Sequence, residues 1–415
     1  MACATRKADP PPTDRPPSGI EQTPGERIVV APPQRLLRVR LLESPGSLDV
    51  ATSATTDVLT AAFEPLARQL PPIRGPVRRE ASAWVLDGRR IEHDADILLV
   101  PRTNAAVRIA GAVYRGAVLL QHDRATGQFA ATNLVDVEQY LLGLDEMPAS
   151  FHAQAHRAQM IAARTYALDA RSQRTGRPWD LLATEASQVY RGVAAEQAVR
   201  VQAVRSTAGM VLTAPDASGR PRLFTAFFSS TCGGTTTDMA SVRAARSSPA
   251  LRGAVACPCC TISPHCRWGP VDVPLSEVTR RLARYPAIAA LGPLNAVQIE
   301  QTDPAGRITM VRVASPRGSD TLRGEDFRLC LGSRLMKSTV CRLEVRGSTL
   351  RITDGRGFGH GMGLCQYGAE ALARQGRNAE HIVLHYYPGA SLRQAYPDVP
   401  DATPLPGVST PGAQR

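Results

Sequence analysis

Residues 140–168 read YLLGLDEMPASFHAQAHRAQMIAARTYAL, and the rest of the chain is organised around them. Glu146 stands just ahead of a long predicted helix that is rich in small residues. We expect Ser150 to cap this helix, because a serine hydroxyl can accept a hydrogen bond from a free N–H group of the first turn. Five residues are spaced so that they lie on one face of this helix, and most of them are alanines. Such a face allows close packing against the backbone of neighbouring elements. Its residues are Phe151, Ala155, Ala158, Ala162 and Thr165.

Glu146 is the first candidate for chemistry. Met147, Pro148 and the alanine-rich helix give it an apolar setting, which raises the pKa of a carboxyl group. A raised pKa keeps a proton available near neutral pH, as a general acid requires. No second carboxylate stands at a spacing that marks a partner, so the nucleophile would come from the substrate. The alternative is an ordinary glutamate on the surface.

The composition limits the classes of function. A chain of 415 residues can bury a large core, and 43% hydrophobic with 21% charged residues is typical of globular proteins. The net charge of +12 indicates an acidic polymer or surface as partner, although a bias towards arginine codons would give the same charge. Aromatic residues make up 5%, which argues against nucleic-acid binding by base stacking. No apolar stretch is long enough to span a membrane.

The order of elements predicts an α+β fold. Residues 1–35 and 397–415 are rich in proline and are predicted to be disordered. Residues 36–135 have the pattern of short strands separated by glycine turns. Residues 136–396 hold the predicted helices, a cysteine-rich loop and a glycine-rich motif. Because strict βαβ alternation is missing, we expect mixed, mainly antiparallel sheets with several packed helices.

Residues 257–266, CPCCTISPHC, carry the pattern of a metal site. Cys257 and Cys260 form a C-x2-C pair, and His265 and Cys266 follow closely. Four such ligands favour tetrahedral zinc, and Cys259 could take the place of Cys257. A site filled by four protein ligands would be structural. A loop with a disulfide bond and a chance cluster are the alternatives.

Residues 357–368, GFGHGMGLCQYG, form the glycine-rich motif. Its glycines allow close approach of the backbone to a ligand or to another element. The motif lacks the Lys-Ser/Thr ending of a phosphate-binding loop. His360 is either a core histidine or a residue of a substrate cleft. Cys365 and Cys232 are predicted to be buried and inert.

Several motifs occur together and in order. They are EMPASFHAQAHRAQMIAARTYAL, QVYRG, FFSSTCGGTTTD, CPCCTISPHCRW, GFGHGMGLCQYGAEALARQG and HIVLHYYPGA. Between residues 38 and 395 the chain therefore resembles the stage II sporulation protein D family, also called the amidase-enhancer (LytB-like) family. The resemblance implies a two-lobed single domain around a cleft. It also implies a lytic transglycosylase that acts on peptidoglycan strands stripped of their stem peptides.

The resemblance also implies roles for individual residues. Glu146 would protonate the oxygen between N-acetylmuramic acid and N-acetylglucosamine, and would then help the muramoyl C6 hydroxyl to attack C1. The product would be a 1,6-anhydro end. The implied substrate-binding residues are Arg164, Gln188, Tyr190, His360, Gln366 and Tyr367. The implied structural zinc ligands are Cys260, His265 and Cys266, with Cys257 as the fourth, and catalysis would need no cofactor.

A second function is a wall-binding factor without catalytic activity that recruits or enhances an N-acetylmuramoyl-L-alanine amidase. The segment between Gly143 and Glu146 favours it, because this segment is shorter than in the family's usual pattern. Both functions predict the cell envelope, outside the cytoplasm, as the location. The first residues show no apolar segment typical of a secretory signal, so either the protein is cytoplasmic or its true start or signal lies upstream, and the family resemblance favours the second. Metal-dependent hydrolysis at the cysteine-rich loop is the least favoured function.

Overall fold

The computed structural model describes residues 35–396 except 104, 174–175, 177, 243–247 and 253–254. The segments 1–35 and 397–415, predicted to be disordered, lie outside these described residues apart from Arg35. Helices and sheets are mixed along the described chain, and the predicted α+β class is confirmed.

The first part of the chain is rich in strands and leads into the long helix. The strands are β1 (Leu36–Pro45), β2 (Leu48–Thr52), β3 (Thr56–Thr60), β4 (Pro65–Leu70), β5 (Arg74–Glu80), β6 (Ala83–Leu86), β7 (Arg89–Glu92), β8 (Ile97–Pro101), β9 (Val107–Ile109), β10 (Ala112–Tyr114), β11 (Ala117–Asp123) and β12 (Gln128–Asp136). They are followed by α1 (Val137–Leu142), α2 (Ala153–Gln173) and β13 (Leu181–Leu182).

Two sheets organise these strands. One has the order β13-β1-β12-β11-β8-β3-β4, and the other has the order β10-β9-β2-β5-β6-β7. Neighbouring strands are antiparallel except for β13, which runs parallel to β1. Leu37 and Val39 of β1 are fully buried at alternate positions, as expected of a strand with one face on the core. Both sheets and α2 contribute to the main hydrophobic core.

The rest of the chain adds shorter elements. They are α3 (Ala198–Ser206), β14 (Met210–Pro215), β15 (Pro221–Arg222), β16 (Phe228–Ser229), α4 (Met239–Val242), β17 (Val271–Pro274), α5 (Leu275–Leu282), α6 (Pro286–Leu291), β18 (Ala296–Thr302), β19 (Ile308–Ser315), β20 (Gly318–Arg323), α7 (Gly324–Leu331), β21 (Arg342–Arg346), β22 (Thr349–Thr353), β23 (Leu364–Cys365), α8 (Gln366–Arg374), α9 (Ala379–Tyr386) and β24 (Ser391–Gln394). Short 3-10 helices lie at Gly192–Ala195, Pro249–Leu251 and Pro258–Ile262.

Elements β17 to β22 form a second lobe with its own core. Two three-stranded sheets, β17-β22-β21 and β18-β19-β20, pack with α5, α6 and α7 around apolar residues such as Phe327 and Val311. The chain enters and leaves this lobe at one place. There Trp268 N–H donates to the carbonyl of Gly355 at 2.8 Å, and Gly355 N–H donates to that of Trp268 at 3.1 Å. The expected two-lobed architecture is therefore present.

The long helix α2 begins at Ala153, so the prediction that Ser150 caps it is wrong. Instead, the His152 ring caps the helix, because its Nδ1 accepts a hydrogen bond from Gln154 N–H at 3.2 Å. The predicted alanine face is confirmed. Its alanines are fully buried, and α2 packs against α3, α8, α9 and β14.

Candidate active site

Glu146 lies in the short segment between α1 and the turn that precedes α2. Leu144 of this segment pairs with Tyr190 in an antiparallel bridge. Asp145 N–H donates to the carbonyl of Val189 at 2.8 Å. The backbone on either side of the bridge is thereby fixed, and Glu146 follows immediately.

The upstream end of the segment is anchored to the first sheet. Arg191 N–H donates to the carbonyl of Gly143 at 2.8 Å. A Cβ atom at Gly143 would clash with the Tyr190 ring, so the close approach needs glycine. The buried Tyr190 hydroxyl in turn donates to Asn133 Oδ1 in β12 at 3.0 Å. Tyr190, predicted to bind substrate, therefore packs inside the protein and positions this segment.

The carboxyl group of Glu146 has the properties of an acid near neutral pH. Its residue is partly exposed, yet desolvation by the surrounding protein raises its pKa to about 7. The Val189 N–H donates to Oε1 at 2.6 Å and opposes this rise. The negative charges of Glu185 and Asp145 raise the pKa further, and the positive charge of Arg200 lowers it. The raised pKa expected from the apolar setting is confirmed.

Arg200 of α3 braces the residues on both sides of Glu146. Its side chain is buried, and Nη2 donates to Asp145 Oδ1 at 3.2 Å and to the carbonyl of Met147 at 3.1 Å. Nη1 donates to the carbonyl of Ala195. Hydrogen bonds from one guanidinium fix the turn, because a planar fork with several donors loses little freedom for each bond made.

Helix α8 holds the turn that follows Glu146. The buried Glu370 carboxylate accepts a hydrogen bond from His152 N–H at 2.6 Å. The rings of Phe151 and Tyr367 meet edge to face, with 5.0 Å between their centres. The entrance of α2 is therefore tied to the glycine-rich motif, which leads directly into α8.

Arg164 is fully buried on α2. Its Nε and Nη2 donate to the two oxygens of Glu138 at 2.8 and 2.7 Å, and Nη1 donates to the carbonyl of Met210 at 3.1 Å. Burial alone would raise the pKa of Glu138, but the Arg164 charge and several hydrogen bonds outweigh it and lower that pKa. Arg164 thus offers no surface to a ligand in this conformation and serves the packing of α2 on α1.

Two glutamines predicted to bind substrate also lie inside the protein. Gln188 is fully buried, accepts a hydrogen bond from the Tyr140 hydroxyl at 3.0 Å and donates to the carbonyl of Ala163 at 3.4 Å. Gln366 is buried at the start of α8 and donates to Gln159 Oε1 of α2 at 3.4 Å. Both side chains connect elements of the core.

His360 and Tyr367 are partly exposed, whereas the other four residues predicted to bind substrate are buried. His360 Nδ1 accepts a hydrogen bond from Met362 N–H at 3.0 Å, and its ring meets Phe227 edge to face. Tyr367 N–H donates to the carbonyl of Ser230 at 3.1 Å. These contacts fix both backbones and leave part of each side chain open to solvent.

The structure assembles a cluster of four thiols that could hold a metal ion. Its members are Cys232, Cys257, Cys260 and Cys365, and their sulfur atoms lie within 4.8 Å of one another. All four side chains are buried. Cys257 and Cys260 were predicted as ligands, but the structure groups them with Cys232 and Cys365 in place of His265 and Cys266. The predicted burial of Cys232 and Cys365 is confirmed, and their place in this cluster adds them to the residues that could hold a metal ion.

Pairing of distant segments explains this grouping. Strands β16 and β23 are parallel, with Ser229 opposite Cys365, and this pairing brings Cys365 beside Cys232. His265 instead packs its ring edge to face against Phe358, and Cys266 is partly exposed. The Cys259 side chain lies outside the part that the structure describes.

Comparisons with known proteins agree with the motifs. The family model described as Stage II sporulation protein (SpoIID) matches residues 125–213, which include Glu146, α2 and α3. Stage II sporulation protein D of Bacillus subtilis (strain 168) is 30% identical over 284 residues, or 63% of this chain and 75% of that protein. The chain belongs to the stage II sporulation protein D family.

Other relatives extend the comparison of this family member. An uncharacterized protein of Brachyspira hyodysenteriae is 28% identical over 264 residues, which cover 63% of this chain and 67% of that protein. The protein named amidase enhancer of Bacillus subtilis (strain 168) is 40% identical over 68 residues, or 16% of this chain and 9% of that protein. Across the described residues, no helix has both the length and the apolar character needed to cross a membrane.

Sequence reasoning missed Arg200 and Glu370, the two residues that hold the turn around Glu146. A signal for Arg200 exists, because it shares a helical face with the apolar residues Ala203 and Val204. A charged residue on such a face needs buried partners. Glu370 gives a weaker signal, because it lies among alanines on α8.

Proposed function

We propose that this family member is a lytic transglycosylase of the cell envelope. In this proposal it cleaves the bonds from N-acetylmuramic acid to N-acetylglucosamine in peptidoglycan strands stripped of stem peptides. Glu146 is its single general acid and base. The observation that carries the proposal is the position of the Glu146 carboxyl group, held by Val189 N–H where desolvation raises its pKa to about 7, because a general acid works best when its pKa lies near the working pH.

In this proposal the two oxygens of Glu146 have different tasks. Oε1 accepts the Val189 N–H, so Oε2 carries the proton. Oε2 donates this proton to the bridging oxygen as the bond from that oxygen to C1 of the muramoyl residue breaks. The carboxylate then takes the proton of the C6 hydroxyl while O6 bonds to C1. The 1,6-anhydro end forms, and the acid is regenerated without a second protein carboxylate.

The charges around Glu146 suit this chemistry. Cleavage of a glycosidic bond passes through a transition state with positive charge on the sugar ring. Asp145, which is about half exposed, and Glu185 both raise the pKa of Glu146, so their negative field reaches the site. The same field stabilises a developing cation. Arg200 opposes it, but its hydrogen bonds hold the turn in place.

His360 and Tyr367 are the candidates for direct contact with the glycan, because both side chains are partly exposed. The other four residues that the sequence suggests are buried, and in this proposal they position the site. The net charge of +12 supports an anionic glycan as substrate, because strands without stem peptides expose the lactyl carboxylates of muramic acid.

The test is product analysis by mass spectrometry on peptide-free glycan strands. We expect the wild-type protein to release 1,6-anhydro ends and Glu146→Gln to lose this activity by a factor of about 100 to 10,000. Glu300→Gln removes an exposed glutamate in the second lobe and serves as the matched control. Full activity of a folded Glu146→Gln protein would refute the assignment of the acid.

A wall-binding factor that enhances an amidase is the second candidate. The match of 68 residues to the protein named amidase enhancer favours it. The same experiment separates the two candidate functions. A wall-binding factor would bind the glycan strands, and neither the wild-type protein nor Glu146→Gln would release 1,6-anhydro ends. An N-acetylmuramoyl-L-alanine amidase would then cleave peptidoglycan faster when the wild-type chain is added than without it.

A further inference from the structure

We propose that the four-thiol cluster binds one zinc ion through all four cysteines and forms a structural site. The members, Cys232, Cys257, Cys260 and Cys365, come from three separate segments of the chain. The site differs from the local set of Cys257, Cys260, His265 and Cys266 that the sequence favours.

The spacing of the sulfur atoms fits one tetrahedral ion. Zinc–thiolate bonds of about 2.3 Å place the sulfurs of a tetrahedron about 3.8 Å apart. The Sγ atoms of Cys232 and Cys260 lie 3.7 Å apart, and every pair in the cluster lies within 4.8 Å. The thiolates of an iron–sulfur cluster bind different iron atoms and therefore need wider spacing. Four thiolates around one ion favour zinc.

Hydrogen-bond donors support the sulfurs, as a metal site requires. The main-chain N–H of Cys232 donates to Cys365 Sγ at 3.3 Å. The hydroxyl of the buried Tyr386 lies 3.0 Å from Cys257 Sγ, where it can donate to a thiolate. Such donors stabilise negative charge on sulfur in an interior closed to water.

A buried arginine supplies the counter-charge. Arg307 is almost fully buried, and its Nη2 donates to the carbonyl of Cys232. Its Nε and Nη1 lack a hydrogen-bond partner within the described residues. A buried guanidinium is costly unless a negative charge lies nearby. Asp303 and Glu325 already supply part of the negative charge near Arg307. One divalent ion with four thiolates has a net negative charge and would add to it on the side of Cys232.

The site joins parts of the chain that hold the candidate active site. Cys365 directly precedes α8, and Cys257 and Cys260 lie at the 3-10 helix that packs on α8. Glu370 of α8 in turn accepts the N–H of His152 in the turn after Glu146. A zinc ion would therefore fix the start of α8 and, through it, the entrance of α2.

The first test measures bound metal by elemental analysis of the full chain purified with zinc in the medium. We expect about one zinc per wild-type chain. Cys232→Ser and Cys365→Ser should lose most of it. The matched controls His265→Ala, Cys266→Ser and Cys259→Ser should retain it. Metal content does not depend on glycan cleavage, so its result stands apart from the proposed function.

X-ray absorption on the wild-type protein covers the case in which the serine variants fail to fold. We expect four sulfur neighbours at about 2.3 Å and no nitrogen neighbour. A nitrogen in the shell, or loss of zinc from His265→Ala, would overturn the proposal in favour of the local set. Iron in place of zinc, or a metal-free chain whose mass shows disulfide bonds among the four cysteines, would also overturn it.

Discussion

Replacing Glu146 by glutamine should stabilise the folded protein by an amount that grows with pH. The pKa of this carboxyl group is about 7 in the folded protein against 4.5 as its ordinary value. The folded state therefore favours the protonated acid. The stability that the proton gives is complete below pH 4.5 and is lost as the pH rises through 7. Glutamine keeps an oxygen that can accept the Val189 N–H and cannot ionise.

The size of the effect follows from the difference between the two pKa values. Compared with a side chain that cannot ionise, the raised pKa of Glu146 costs about 1 kcal/mol of stability at pH 5 and about 3 kcal/mol at pH 8, because the unfolded chain ionises at a lower pH than the folded one. The entropy of unfolding is about 2 cal/mol/K per residue, so a protein of this size changes its Tm by roughly 1 °C per kcal/mol. The variant should therefore melt about 1 °C higher at pH 5 and about 3 °C higher at pH 8.

Thermal unfolding followed by circular dichroism at both pH values checks this prediction. The quantity of interest is the gain in Tm of Glu146→Gln at pH 8 minus its gain at pH 5. Glu300→Gln, which removes an exposed carboxylate, should show a difference near zero. An equal change of Tm at both pH values for Glu146→Gln would refute the raised pKa and, with it, the reason for choosing this residue as the acid.

Three further substitutions test the surroundings of the site. Arg200→Gln removes a charge that lowers the pKa of Glu146, so the basic limb of the pH–rate profile should move up by roughly half a pH unit. Arg164→Met leaves Glu138 buried without its cation and should cost about 3–5 kcal/mol in urea unfolding. Gly363→Ala places a Cβ against a carbonyl oxygen at φ 62°, and should cost more than about 2 kcal/mol in the same assay.

Each of these has a control within the chain. Arg205→Gln, an exposed change on the same helix α3, should leave the pH–rate profile in place. Arg164→Met combined with Glu138→Leu should recover much of the lost stability, because no buried charge remains. Gly347→Ala has φ 58° and open space for a Cβ, so it should cost only about 1 kcal/mol. A pH–rate profile that moves down in Arg200→Gln would contradict the electrostatic account.

The sequence was most informative where the decisive interactions are local. The alanine face of α2 follows from helical spacing alone, and the apolar residues beside Glu146 account for the direction of its pKa shift. The start of α2 was predicted wrongly at Ser150, because Glu370 binds His152 N–H from a distant helix. A contact across 218 residues leaves no pattern in the local sequence.

The substrate-binding residues suggested by the sequence show the same limit, because contacts between distant segments leave no pattern in the local sequence. Arg164 and Gln188 stand in motifs of the family, and a polar residue in a motif can either face a ligand or hold the fold together. Burial decides between the two, and it depends on how α1, α2 and β14 pack. Spacing along the chain predicts a local set of metal ligands, whereas the pairing of β16 with β23 adds Cys365 and Cys232 to the thiols that could hold a metal ion.

The second lobe has a consequence for the order in which the protein assembles. Cys232 and Cys365 are 133 residues apart along the chain, and closing a loop of that length in an unfolded chain costs entropy. Once the lobe has folded, Trp268 and Gly355 lie side by side and the remaining connection is short. Assembly of the four thiols should then follow folding of the second lobe. If the cluster binds zinc as proposed, a substitution at Phe327 in the core of that lobe would slow metal binding without changing a ligand.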